Sequence, residues 1–155
     1  MRTPSRLAAV LLVLSTARTA AADRANDIYL EVFGKGGLWG LGYDRRLARR
    51  IAIGVVGSGQ SLDGERYLSL SPYVGLYLVR YGRSAWFADV GAQLAHVWSA
   101  SPVPEWSGTS STGIGGIAST GYEFRGRLLV RLFLHAAIGK GGALPWAGAG
   151  VGWAF

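Results

Sequence analysis

From residue 28 to the end of the chain, apolar residues recur at every second position, and the two alternating sets differ in kind. One set runs Ile28, Leu30, Val32; Trp39, Leu41, Tyr43; Ile51, Ile53, Val55; Leu68, Leu70, Pro72, Val74, Leu76, Leu78; then from Trp86 to Trp98, Ile114 to Phe124, Leu128 to Ile138 and Ala147 to Phe155. It contains no charged residue. The complementary set mixes small, aromatic and ionic residues, among them Tyr29, Glu31, Phe33, Gly42, Asp44, Gly54, Tyr73, Tyr77, Asp89, Gly121, Glu123, Arg131, His135 and Gly152, and every charge embedded in a strand, between its end residues, falls in it. A period of two is the signature of strands, whose side chains alternate between faces. The alternation predicts eight strands, over 28 to 35, 38 to 45, 50 to 57, 66 to 80, 85 to 98, 112 to 124, 127 to 139 and 144 to 155. No stretch of about 18 apolar residues follows the N-terminal region, so spanning helices are not expected.

The partition selects a type of barrel. A soluble ligand-binding barrel turns its apolar face inward and its charges to water. An uncharged apolar exterior around a mixed polar interior suits a barrel surrounded by lipid. The expected fold is therefore all-β: a closed, antiparallel, up-and-down eight-stranded transmembrane barrel. With about eight strands the interior is only wide enough for side chains to fill. The 24 glycines lie inside the apolar runs, where inward-facing ones leave room for Tyr73, Tyr77 and Arg131, so an open diffusion pore is disfavoured. The connections at 46 to 49, 81 to 84 and 125 to 127 alternate with those at 36 to 37, 58 to 65, 99 to 111 and 140 to 143, and the two longest fall on one side. Outer-membrane barrels have short periplasmic turns and longer external loops, which places both termini in the periplasm. Trp39, Tyr43, Trp86, Trp98, Tyr122, Phe124 and Trp153 stand where interfacial girdles belong. Pro72 removes a ladder donor from the fourth strand, and a bulge is expected there. The first external connection is unusually short.

Residues 1–22 join a basic start (Arg2, Arg6), an apolar stretch from Leu7 to Leu14 and Ala20-Ala21-Ala22, the parts of a cleaved secretory leader. Domain organisation is thus leader over 1–22 and barrel over 23–155. Loss of Arg2, Arg6 and Arg18 lowers the formal charge from +7 to +4, too mild for a nucleic-acid partner. Cysteine is absent, which rules out disulfides, thiolate metal sites and a cysteine nucleophile. With only two histidines, His96 and His135, and no cysteine, a zinc site is not expected. No metal or cofactor is expected.

These residues resemble the small eight-stranded outer-membrane barrels, the class of the OmpA transmembrane domain and the Ail/OmpX proteins. The resemblance covers the chain from about Asp27 to Phe155. Its most specific part is the ending Val151-Gly152-Trp153-Ala154-Phe155, which looks like the C-terminal sorting signal read by the barrel-assembly machinery; Val151, Trp153 and Phe155 carry it. The segment Glu31 to Arg46 is similar to the opening hairpin of many bacterial barrels. The resemblance implies an integral protein of the bacterial outer membrane, with outer-membrane lipids and the assembly machinery as partners, and a non-enzymatic structural or surface-interaction role. A lipid-modifying enzyme of the lipid A deacylase type and a soluble secreted lipocalin-like barrel are the alternatives.

Three constellations carry candidate chemistry. Glu31, Asp44, Asp89, Glu123, Arg127 and Arg131 form an inward ionic set. A three-residue turn over 125–127 would put Glu123 opposite Leu129, with Arg127 and Arg131 diagonal to it. Buried charges need such partners, and the set reads either as a structural plug or as a gate or proton relay. His96 faces outward near the external rim, but two residues on stands Trp98, not a serine. It reads as an interfacial residue more readily than as a catalytic base, and His135 as a lumenal hydrogen-bonding group. Arg45, Arg46, Arg49, Arg50, Arg80, Arg83, Arg125 and Arg127 gather at the periplasmic turns, where they either meet anionic headgroups or simply keep the rim solvated. An external ligand would meet the loops 58–65 and 99–111, with Trp106 as an exposed anchor.

Overall fold

The computed structural model describes residues 24–62, 64–99 and 108–155. The leader expected over 1–22 and the loop residue Trp106 lie outside them. Eight strands, β1 (Asn26–Gly34), β2 (Gly37–Arg46), β3 (Ile51–Leu62), β4 (Glu65–Tyr81), β5 (Ser84–Ser99), β6 (Thr109–Arg125), β7 (Leu128–Gly139) and β8 (Gly142–Ala154), pair antiparallel with their neighbours in sequence. The ladder of β8 with β1, from Ile28 opposite Trp153 to Val32 opposite Ala149, closes the barrel. Asn26 and Phe155 exchange backbone hydrogen bonds of 2.9 and 2.8 Å beyond it. Asn26 and Phe155 therefore sit at one end of the barrel, here called the terminal end.

The burial pattern is that of a globular protein turned inside out. Asp27, Glu31, Asp44 and Glu123 are at most 1% exposed, whereas Ile114 is 78% and Leu134 64% exposed. The expected outward set forms a continuous apolar belt. The expected aromatics lie toward its two edges: Tyr43, Trp86, Tyr122, Phe124 and Trp153 at the terminal end, Trp39 and Trp98 at the opposite end. Trp86 and Tyr122 meet edge to face at 6.1 Å. Inside, Tyr29, Val56, Tyr73, Ile117 and Leu129 form one apolar cluster, and Ala52, Tyr77, Ala85, Phe87 and Phe133 another.

Four expectations are corrected. Phe33 was placed inside by parity, but its backbone takes φ = 52° and its side chain turns outward. A left-handed residue interrupts the alternation without lengthening the strand. Pro72 stays in register opposite Val55 without a bulge; the gap in pairing falls on the β5 side, between Leu70 and Tyr73, where the missing donor is tolerated. The shift in register comes instead between Tyr77 and Val79. The extra residue there leaves both Leu78 and Val79 outside and turns the parity of Arg80. Finally, residues 58–62, expected in a loop, belong to β3. The β3–β4 ladder continues through Ser58–Ser69 to Leu62–Glu65, and the 99–111 connection shortens because β6 starts at Thr109.

Glycine makes the aromatic filling possible. A β-carbon on Gly121 would fall 2.6 Å from the Cα of Phe133 and closer still to the carbonyl oxygen of Leu132; one on Gly152 would lie 2.7 Å from the Cα of Tyr29. Backbone cannot step aside as a side-chain tip can. Gly121→Ala and Gly152→Ala are each expected to lose about 1–3 kcal/mol by overpacking. Gly113→Ala, which meets nothing within 4 Å, is expected to stay within about 1 kcal/mol of the parent. Denaturant unfolding of the three variants checks the contrast, and equal losses at all three positions would refute it.

Candidate functional site

The lumen holds two ionic clusters. The one at the terminal end begins with a conflict that strand pairing imposes: the β1–β2 register puts Asp27 directly opposite Asp44 on the same inward face. Like charges so placed repel. Two guanidiniums resolve it. Arg125 and Arg131 each contact both aspartates, with Arg125–Asp27 and Arg131–Asp44 the tightest pairs.

Glu123 lies opposite Arg131 across β6 and β7. It accepts from Arg131 Nε at 2.8 Å and pairs with Arg131 Nη2 at 2.7 Å, with Arg125 Nε at 2.9 Å and with Arg46 Nη2 at 3.0 Å. Three carboxylates thus face three guanidiniums, and phenols add further hydrogen bonds. Tyr77 donates to Glu123 Oε2 at 3.1 Å, Tyr73 to Asp44 Oδ2 at 3.2 Å, and the hydroxyls of Tyr29 and Tyr73 are 2.8 Å apart. The Arg131 guanidinium also lies 4.7 Å from the Tyr29 ring centroid, a cation–π contact.

The second cluster is built around the first hairpin. Its short turn folds into the barrel mouth, and Lys35 is 1% exposed. Lys35 Nζ lies 2.9 Å from Asp89 Oδ2, 4.0 Å from Glu31 Oε2 and 4.4 Å from the Tyr73 ring centroid. The turn's backbone is fastened as well. The Lys35 carbonyl accepts from Gln93 Nε2 at 2.7 Å and Ser71 Oγ at 3.1 Å; the Gly36 amide donates to Glu31 Oε1 at 2.9 Å, and the Gly36 carbonyl accepts from Gln60 Nε2 at 2.8 Å. The unusually short first connection is a stopper. Between the two clusters a void of about 10 Å³, bordered by Asp44, Tyr73, Tyr77, Asp89, Glu123 and Arg131, has room for about one water.

Of the six residues expected in the lumenal set, Glu31, Asp44, Asp89, Glu123 and Arg131 are buried inside the barrel. Arg127 is not: it is exposed in the β6–β7 turn, and Arg125 occupies the lumen in its place. The cause is a register two residues from the expected one, with Arg125 opposite Leu129 and Glu123 opposite Arg131 rather than Leu129. Asp27, Lys35 and Arg46 were missing from the expected lumenal set: Asp27 lies one residue before an expected strand, Lys35 is the last residue of one, and Arg46 was counted with the turn arginines. The parity of their neighbours, carried slightly further, points all three inward.

His135 is buried, its Nδ1 2.9 Å from Ser119 Oγ, with the Trp146 ring 4.8 Å away. His96 Nδ1 lies 2.6 Å from Thr112 Oγ1, across the strand pair rather than along it, and its ring packs 4.0 Å from Trp98. Val151, Trp153 and Phe155 lie on the outer surface of the closing strand, each about half exposed.

No protein-family model and no curated protein matches the sequence. The fold is similar to solved structures. The N-terminal β-barrel domain of Pseudomonas aeruginosa OprF superposes with a TM-score of 0.66 at 13% identity, over 84% of this chain and 95% of that one. Ail, the attachment invasion locus protein of Yersinia pestis, gives a TM-score of 0.55 at 11% identity, over 84% and 95%. The chain shares the eight-stranded barrel fold of these outer-membrane proteins.

Proposed function

We propose that the protein is a non-enzymatic, integral barrel of a bacterial outer membrane, with its lumen closed by side chains, its termini in the periplasm, and a structural or surface-interaction role. One observation carries this reading: the apolar belt is uncharged around the whole barrel, while the ionic residues of the wall are buried within it. In water such a belt is far larger than the few hundred Å² that soluble monomers expose. Strand length supports the orientation. The 17 residues of β4 and of β6, at about 3.4 Å each and tilted by about 45°, rise about 40 Å, against about 30 Å of hydrocarbon. The excess lies at the end opposite the termini, where Glu65, Arg66, Thr109, Ser110 and Ser111 are exposed. That projecting rim is the surface offered to the exterior.

The competing reading, a lipid-modifying enzyme, rests on His96 beside the Thr112 hydroxyl. The outward face of β4 to β6 holds no acidic residue from Leu68 to Leu78, Trp86 to Trp98 or Thr112 to Phe124, so the carboxylate that would orient the imidazole is missing from that face.

Membrane fractionation tests the assignment. The protein is expected in the outer-membrane fraction, extracted only by detergent, and migrating differently on gels before and after boiling because the closed barrel resists unfolding. Recovery in the detergent-free soluble fraction would overturn it in favour of a soluble secreted barrel.

A further inference from the structure

At the terminal end a pocket of about 220 Å³ opens below the buried ionic cluster, lined by Arg24, Arg46, Arg80, Arg83 and Arg125 with small residues of the β4–β5 and β6–β7 turns. Among the described residues no carboxylate lines it. The cluster above is balanced, Arg46, Arg125 and Arg131 against Asp27, Asp44 and Glu123. Arg24 and Arg83 line the pocket and take part in none of those ion pairs. The wall is fixed in place by several contacts. Arg80 donates to the Arg49 carbonyl at 3.1 Å, Arg125 Nη1 to the Arg24 carbonyl at 3.3 Å, and the Arg125 amide to the Arg83 carbonyl at 2.7 Å. Guanidiniums keep their charge at any physiological pH, and their planar forks match the oxygens of a phosphate. The volume is many times the 10–15 Å³ or so that a single water needs on the same measure.

We propose that this pocket binds a phosphate group, either of a soluble phosphate or of a phospholipid headgroup reaching in from the adjoining leaflet. The recognition chemistry is the same in both cases: an oxyanion received by converging arginines in a recess already shielded from bulk water on the barrel side. It is independent of which side of a membrane this end faces.

Calorimetric titration of the folded full chain in nonionic detergent with inorganic phosphate, at constant ionic strength, tests it. Saturable one-site binding is expected. The double variant Arg24→Gln/Arg83→Gln should weaken it about tenfold or more, the loss of one or more charge-assisted hydrogen bonds. Arg127→Gln removes the same kind of charge at the same end but outside the pocket, and should leave the affinity unchanged. Absence of saturable binding in the parent, or an equal loss in Arg127→Gln, would overturn the proposal, as would succinate binding more tightly than phosphate, which would assign the pocket to carboxylates. Repeating the titration in phosphatidylglycerol and in phosphatidylcholine nanodiscs separates the sources. Weaker phosphate binding in the first identifies the headgroup as occupant, and equal binding in both identifies a soluble phosphate; either supports the phosphate assignment.

Discussion

Arg131→Met is expected to lose about 3–5 kcal/mol of folding stability, the range for breaking a buried ion pair from one side. Arg131 bridges Asp44 and Glu123, contacts Asp27 at 3.9 Å and packs over Tyr29. Methionine fills part of the volume but leaves the Asp27–Asp44 repulsion to Arg125 alone. Arg131→Lys should recover only part of the loss, because a single ammonium cannot reach two carboxylates as a fork does. Adding Glu123→Gln to Arg131→Met should cost less than the two single losses combined, since each partner's removal makes the other superfluous. Arg127→Met, on an exposed turn residue of identical charge, should stay within about 0.5 kcal/mol. Denaturant unfolding in one detergent compares all of them. A loss below about 1 kcal/mol for Arg131→Met would mean that water, not protein, satisfies the lumenal carboxylates.

The contrast between Arg131 and Arg127 also shows where sequence reading stops. Alternation alone recovers eight strands, their order and the face that residues in regular pairing take, because one register slip would bury the whole apolar set and expose the charges. It says nothing about how many residues a turn consumes. The β6–β7 register differs from the expected one by two, which preserves every face while exchanging which arginine enters the lumen. Parity is also blind to departures from regular backbone. A positive φ at Phe33 has no glycine or asparagine to announce it, and the extra residue near Leu78 lies in an unbroken apolar run. Lys35 illustrates the third limit: its burial depends on a hairpin tip folding into the mouth, held by Gln60, Ser71 and Gln93 from strands far along the chain. The signal for it was the brevity of that connection, which fits a turn drawn inward better than a loop exposed outside.

Deleting Phe155 is expected to abolish assembly in cells while sparing folding in vitro. In the structure the residue contributes two backbone hydrogen bonds with Asn26 and a half-exposed ring at the edge of the apolar belt. At about 0.5–1.5 kcal/mol net for each hydrogen bond, its structural share is modest, and refolding into detergent or lipid vesicles should proceed with a loss of about 1–3 kcal/mol. If the outward row of Val151, Trp153 and Phe155 is what the assembly machinery reads, the truncated chain in cells should accumulate unassembled and be degraded, far beyond what that loss explains. Phe155→Tyr, which keeps an aromatic at the terminus and the backbone pair intact, should assemble. Matched gels before and after boiling, on cell envelopes and on refolded protein, separate the two roles. Near-normal assembly of the deletion in cells would remove the recognition role. Equal failure in vesicles would instead make Phe155 a structural clasp whose worth lies in closing β8 onto β1.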